Sequence, residues 1–190
     1  MAWTQEARIE ARDVTVESVN LKRLASLVPE IRKMTVLDPD AFCPSLKKHL
    51  ANCGIALVLL PHLSGSFLQG ATFMDGKKIV IGITTRGRDA DKFWFSLFHE
   101  IAHVVLGHVG KAGGISEEDE RAANQWAEDA LIHKDDFLRF KEDGNYSRES
   151  VLLFASKQGI APGIVVGRLQ TEGLIPFHTL NDLKTKYEFT

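Results

Sequence analysis

The chain has 190 residues, is 44% hydrophobic and carries a formal net charge of -2. That is enough apolar side chain for one buried core, and a near-neutral balance without a Lys/Arg-dense block leaves no overall electrostatic footprint for nucleic acid or an anionic membrane. Two cysteines, Cys43 and Cys53, are too few for a disulfide framework and lack zinc-knuckle spacing, so both are expected to be reduced and structural.

The N-terminal stretch MAWTQEARIEARDVT has acidic residues throughout and no apolar run. It reads as neither a secretory signal nor a transit peptide, and a cytoplasmic protein is expected. From Ser18 to Met34, Val19, Leu21, Leu24, Leu27 and Ile31 recur at helical spacing, with Pro29 expected to break or restart the helix. A second short helix is predicted over Pro44 to Ala51, with Gly54 as its stop signal. GIALVLL, GATFMD and KKIVIGIT then read as strands, and Asp75-Gly76 between the last two is a hairpin signal, which predicts a two- or three-stranded sheet. The longest apolar run, GIALVLLPHL, is about half of what a membrane span needs.

From Asp91 the pattern turns helical, and its apolar residues lie nearly all round, as in a helix enclosed by neighbours. A glycine-rich loop, GHVGKAGGIS, comes next. Ser116 with Glu117, Glu118 and Asp119 then reads as the capped acidic start of a helix reaching about Lys134, whose Ala122, Ala123, Ala127 and Ala130 would permit close approach to a neighbour. After the polar loop KEDGNYSRES, helices are predicted from Ser147 to about Lys157 and from Pro162 to Glu172, separated by Gly159. The glycine at 144 marks the best domain boundary: a unit over residues 1–143, and a C-terminal helical region over 144–190 packed on it.

The enclosed helix contains FHEIAHVVLGH, in which His99, Glu100 and His103 form H-E-x-x-H. Burying polar groups without partners is costly, and a metal ion would satisfy all three at once. Positions i and i+4 share one helix face, so two imidazoles can hold one cation while Glu100 reaches a water at the same ion. A catalytic zinc takes three protein ligands. The motif H-E-x-x-H-x-x-G-x-x-H is excluded, because Gly107 and His108 stand four and five residues past His103 and no methionine lies downstream to make the required turn. A carboxylate from the next helix is the other option. Among its acidic residues Glu120 is chosen, because Asn124 lies one turn on along the same face and could brace it.

Together, FHEIAHVVLGH and ERAANQWAEDALI resemble the ImmA/IrrE family of bacterial zinc metallopeptidases, in which HExxH is paired with a downstream ExxxN helix. The matching residues are His99, Glu100 and His103, then Glu120, Ala123, Asn124, Trp126, Ala127 and Leu131. The stretch GIAPGIVVGRLQTEGLIPFHTLNDLK is similar to the tail of HigA-antitoxin-like proteins, where such a domain comes after a DNA-binding helix-turn-helix; this chain would then be a fragment or a stand-alone version. The resemblance implies an α+β, zincin-like fold of gluzincin type and Zn2+ as cofactor. It also implies hydrolysis of a regulatory protein, a repressor or antitoxin, within stress, mobile-element or toxin-antitoxin regulation. Glu100 would take a proton from water and return it to the leaving amine, with Arg86, Tyr146 and His178 as candidates for the oxyanion. The strand GATFMD could pair with an extended peptide. The competing expectation is a non-catalytic module binding DNA or a toxin, with a structural or vestigial metal site. Its element is FASKQGIAPGIVVGRLQ, spaced like a helix-turn-helix. With Arg168 as the only cation on its second helix, and five basic against five acidic residues from Asp143 on, the case for DNA is weak.

Overall fold

Three strands, β1 (Ile55–Leu60), β2 (Gly70–Asp75) and β3 (Lys78–Thr84), form one mixed sheet in the order β1-β3-β2. β1 and β3 run parallel, and β3 pairs antiparallel with β2 through the turn after Asp75. The computed structural model describes residues 2–60, 69–85 and 89–189.

Strand alternation decides the layering, since successive side chains point to opposite faces. Ile55, Leu57, Ile79, Ile81 and Ile83 belong to the main core, whereas Ala56, Val58, Leu60 and Val80 form a second, smaller cluster with Trp3, Ala7 and Ala11. An N-terminal helix, α1 (Ala2–Glu10), therefore covers the back of the sheet. It was not anticipated, because its inward stripe consists of one tryptophan and small alanines, which barely register as periodicity.

The other face carries the remaining helices: α2 (Leu21–Lys33), α3 (Pro39–Ala51), α4 (Ala90–Val105), α5 (Glu117–Leu131), α6 (Lys134–Asp143), α7 (Arg148–Gln158) and α8 (Pro162–Thr171). This is the expected α+β architecture with a small sheet and C-terminal helices. Three helix boundaries differ from the expectation. Pro29 sits inside an unbroken α2, because one lost backbone donor costs less than giving up the burial of Leu24 and Ile31 on either side of it. α3 begins at Pro39 rather than Pro44, the first turn being where a proline costs no hydrogen bond, and its buried stripe is Phe42, Leu46 and Leu50. The helix expected to reach Lys134 ends at Leu131, where Ile132 turns extended; α6 then buries Phe137 and Phe140 and closes on Gly144 in the left-handed conformation.

Residues on both sides of position 143 share one core: Phe137 and Phe140 pack in the same cluster as Val151, Ala155, Val165 and Leu169. α7 and α8 cross at 115°, within the range of a helix-turn-helix. Yet only Thr171 of α8 is exposed, and Arg168 is tied to Glu128 at 3.0 Å and to Glu172 at 2.6 Å. As packed, this second helix presents little free surface. The C-terminal tail returns to the start of α4, where Tyr187 is buried and accepts a 2.6 Å hydrogen bond from Trp94 Nε1. Among the described residues no single helix is long and apolar enough to cross a membrane.

Candidate metal and active site

Two helix-packing facts place the site. α4 is buried on most sides by Phe93, Trp94, Leu97, Phe98, Ile101 and Ala102, which wedge it between the sheet, α5 and α8 and fix its rotation. α5 starts from a capping box in which Ser116 and Asp119 satisfy each other's backbone donors, and its fully buried Ala123 and Ala127 let it lie close against α4. The first turn of α5 is thereby set over the HExxH face.

In this arrangement His99 Nε2 lies 3.0 Å from His103 Nε2 and 3.1 Å from Glu120 Oε2, and His103 Nε2 is 3.7 Å from Glu120 Oε1. Two nitrogens on one tetrahedral zinc at bond lengths of about 2.0–2.1 Å stand about 3.3 Å apart, so the triad matches the edge lengths of such a site. His103 is 2% exposed and Glu120 is 49% exposed, so the cluster is closed on the protein side and open on the cleft side. His99, His103 and Glu120 together form a group able to hold a metal ion. The donor set, two imidazoles and one carboxylate converging on one point, fits a zinc-type cation.

Glu100 is 7% exposed, and burial pushes its carboxyl up to about 7. The Thr72 hydroxyl, which donates a 2.6 Å hydrogen bond to Glu100 Oε2, pulls the other way, and the nearby Glu120 charge adds to the rise. A carboxyl balanced near neutrality can both take and return a proton. Thr72 and Gly70 occupy the face of β2 turned toward α4, while Ala71 and Phe73 pack on the rear cluster. Gly70 comes so close that a Cβ there would lie 2.6 Å from Glu100 Oε1. Neither residue was singled out from the sequence. The only available signal was that Gly70 and Thr72 share one face of a strand in which Phe73 faces the other way.

The cleft is lined by Gly70, Thr72, His99, Glu100, Glu120 and Asn124, among others. Asn124 is exposed, and no hydrogen bond joins its amide to Glu120 among the described residues. Of the oxyanion candidates, Tyr146 is remote, its hydroxyl donating to the Lys141 carbonyl at 3.3 Å. His178 is exposed in the C-terminal tail and does not line the cleft. Arg86 lies outside the described residues. Cys43 and Cys53 are free, as expected.

A buried helix bearing HExxH, packed against a small mixed sheet and joined by a carboxylate from the next helix, is the arrangement of a zincin-like metallopeptidase domain. Residues 67–170 match the family model described as the IrrE N-terminal-like domain, Peptidase M78, and the chain belongs to that family. A search of curated proteins finds no match.

Proposed function

We propose that this domain is a zinc-dependent endopeptidase of gluzincin type that hydrolyses a regulatory protein of the repressor or antitoxin kind. The observation that carries the reading is the buried Glu100, held by Thr72 in the same cleft as the His99–His103–Glu120 triad. A structural metal site has no use for an extra buried carboxyl beside its ligands.

Zinc held by His99, His103 and Glu120 would supply Lewis acidity, acidifying a water and polarising the scissile carbonyl. Glu100 accepts the water proton and returns it to the leaving amine. Thr72 keeps the Glu100 carboxyl turned into the cleft. β2 is an edge strand, and its Gly70–Thr72 segment lines the cleft, so an extended peptide added to that edge would pass across Glu100. Beyond Phe95 and Ser96 the cleft meets a cavity of about 300 Å³ walled by Leu131, Ile132 and Ile164, which suits a bulky apolar side chain of the substrate. The regulatory nature of the substrate, and a cytoplasmic setting with it, rest on the family resemblance. The test is cleavage of a repressor- or antitoxin-type partner by the zinc-loaded protein, lost in Glu100→Gln; cleavage by that variant at the wild-type rate would overturn the reading.

A further inference from the structure

The C-terminus of α4 joins two histidines. Gly107 adopts the left-handed conformation (φ 71°), His108 N–H bonds to the His103 carbonyl at 2.9 Å and Gly107 N–H to the Val104 carbonyl at 3.1 Å. This is a Schellman termination, which brings the side chain two residues past the cap onto the side chain three residues before it. That contact is usually hydrophobic. Here it pairs His108 with His103, and their Nδ1 atoms stand 3.0 Å apart. His108 is itself buried, at 6% exposure, and its Nε2 lies 3.3 Å from Asp119 Oδ1. Asp119 in turn accepts from Lys111 Nζ at 2.6 Å and from the Ser116 backbone N–H at 3.0 Å.

We propose that His108, backed by Asp119, is a positioning residue that fixes His103 in the tautomer whose Nε2 is free to bind a divalent cation. The inference rests on the metal-site reading above. Two imidazole nitrogens at hydrogen-bond distance share one proton, so the direction of the chain is the question. Asp119 is a carboxylate that can only accept, which places a proton on His108 Nε2; in the neutral imidazole Nδ1 is then bare. The bare Nδ1 accepts, so the proton of His103 sits on its Nδ1, and its Nε2 lone pair points at His99 Nε2 and Glu120. With His108 neutral, the reversed chain would set two acceptors, His108 Nε2 and Asp119 Oδ1, against each other, and would aim an N–H into the cation position.

The same residues clamp the two helices. The first turn of α5 offers Glu120 to the cation and, one position earlier, Asp119 to His108, so α4 and α5 are tied at two adjacent points. The other histidine ligand has no such brace, since His99 Nδ1 is buried without a hydrogen-bond partner among the described residues. Control of ring orientation therefore falls on His103. Partners of this kind change metal affinity by about 10- to 100-fold when removed.

The test uses the full chain and zinc alone. Zinc affinity is measured by chelator competition for wild type, His108→Leu and His108→Asn, with thermal denaturation confirming that each variant is folded. His108→Leu should bind about 10- to 100-fold more weakly. His108→Asn, whose side-chain oxygen can still accept from His103, should recover most of that loss. Imidazole 15N–1H spectra should show His108 protonated at Nε2 and His103 at Nδ1. A His108→Leu protein with wild-type affinity, or a His108 protonated at Nδ1, would overturn the proposal. Should His108→Leu misfold, the wild-type spectra and His108→Asn decide it. Zinc binding without any cleavage would remove the peptidase reading and leave this network standing; unaltered affinity in His108→Leu would do the reverse.

Discussion

Replacing Gly70 by alanine tests whether the approach of β2 to α4 is what holds Glu100 in place. An added Cβ would sit 2.6 Å from Glu100 Oε1, 2.9 Å from Cγ and 3.0 Å from Cδ. Ordinary contact needs about 3.4 Å or more, so the carboxyl must move by roughly 0.8 Å or the strand must retreat. Glu100 cannot swing aside freely, because it is enclosed and its other oxygen is bound to Thr72 at 2.6 Å. Overpacking of this kind costs about 1–3 kcal/mol. In a chain of this length that lowers the melting temperature by roughly 2–12 °C. A displacement approaching 1 Å in a catalytic group costs about 100-fold in rate, whereas zinc affinity should hold, since no ligand is touched. The assay is a double-mutant cycle with Glu100→Ala, read by thermal denaturation and zinc titration. Removing the Glu100 side chain should abolish the penalty of Gly70→Ala. Equal destabilisation in both backgrounds, or none in either, would refute the idea that the strand holds the carboxyl.

Glu100→Gln should retain zinc within a few-fold while losing about 10²- to 10⁴-fold in cleavage, measured on the same preparation, because the amide still accepts from Thr72 but cannot carry a proton. At the far end of α4, burial raises the Tyr187 hydroxyl to about 12. A folded-state value above the ordinary 10 means that the native protein holds the proton longer than the unfolded chain. The associated stability is intact below pH 10 and is lost as pH rises from 10 through about 12, on the order of 2–3 kcal/mol. Tyr187→Phe should remove that alkaline loss in a denaturation series. At neutral pH it should cost about 1–3 kcal/mol, by leaving Trp94 Nε1 buried without its acceptor.

The parts of the site that could be read from sequence are those set by local geometry. His99 and His103 share a helix face by virtue of the i, i+4 spacing alone. Glu120 becomes legible because the capped start of α5 is written in Ser116 and the acidic run behind it. Gly70 and Thr72 could not be found that way, since their role depends on which strand lies at the sheet edge beside α4, and β1-β3-β2 is not the order in which the strands occur along the chain. In the sequence His108 offers itself only as a third metal ligand, which the spacing excludes; its contact with His103 depends on the left-handed turn at Gly107. α6 was missed because Phe137 and Phe140 are its only buried apolar pair, in an otherwise charged stretch.

Both the proposed chemistry and the His108 network depend on His99, His103 and Glu120 holding one divalent cation together. Zinc titration of the purified chain alongside His99→Ala and Glu120→Ala measures it most directly. One zinc per wild-type chain is expected, with a loss in each variant larger than the roughly 10- to 100-fold that a bracing partner would give. Wild-type affinity in Glu120→Ala, or no zinc bound by the folded wild type, would contradict it.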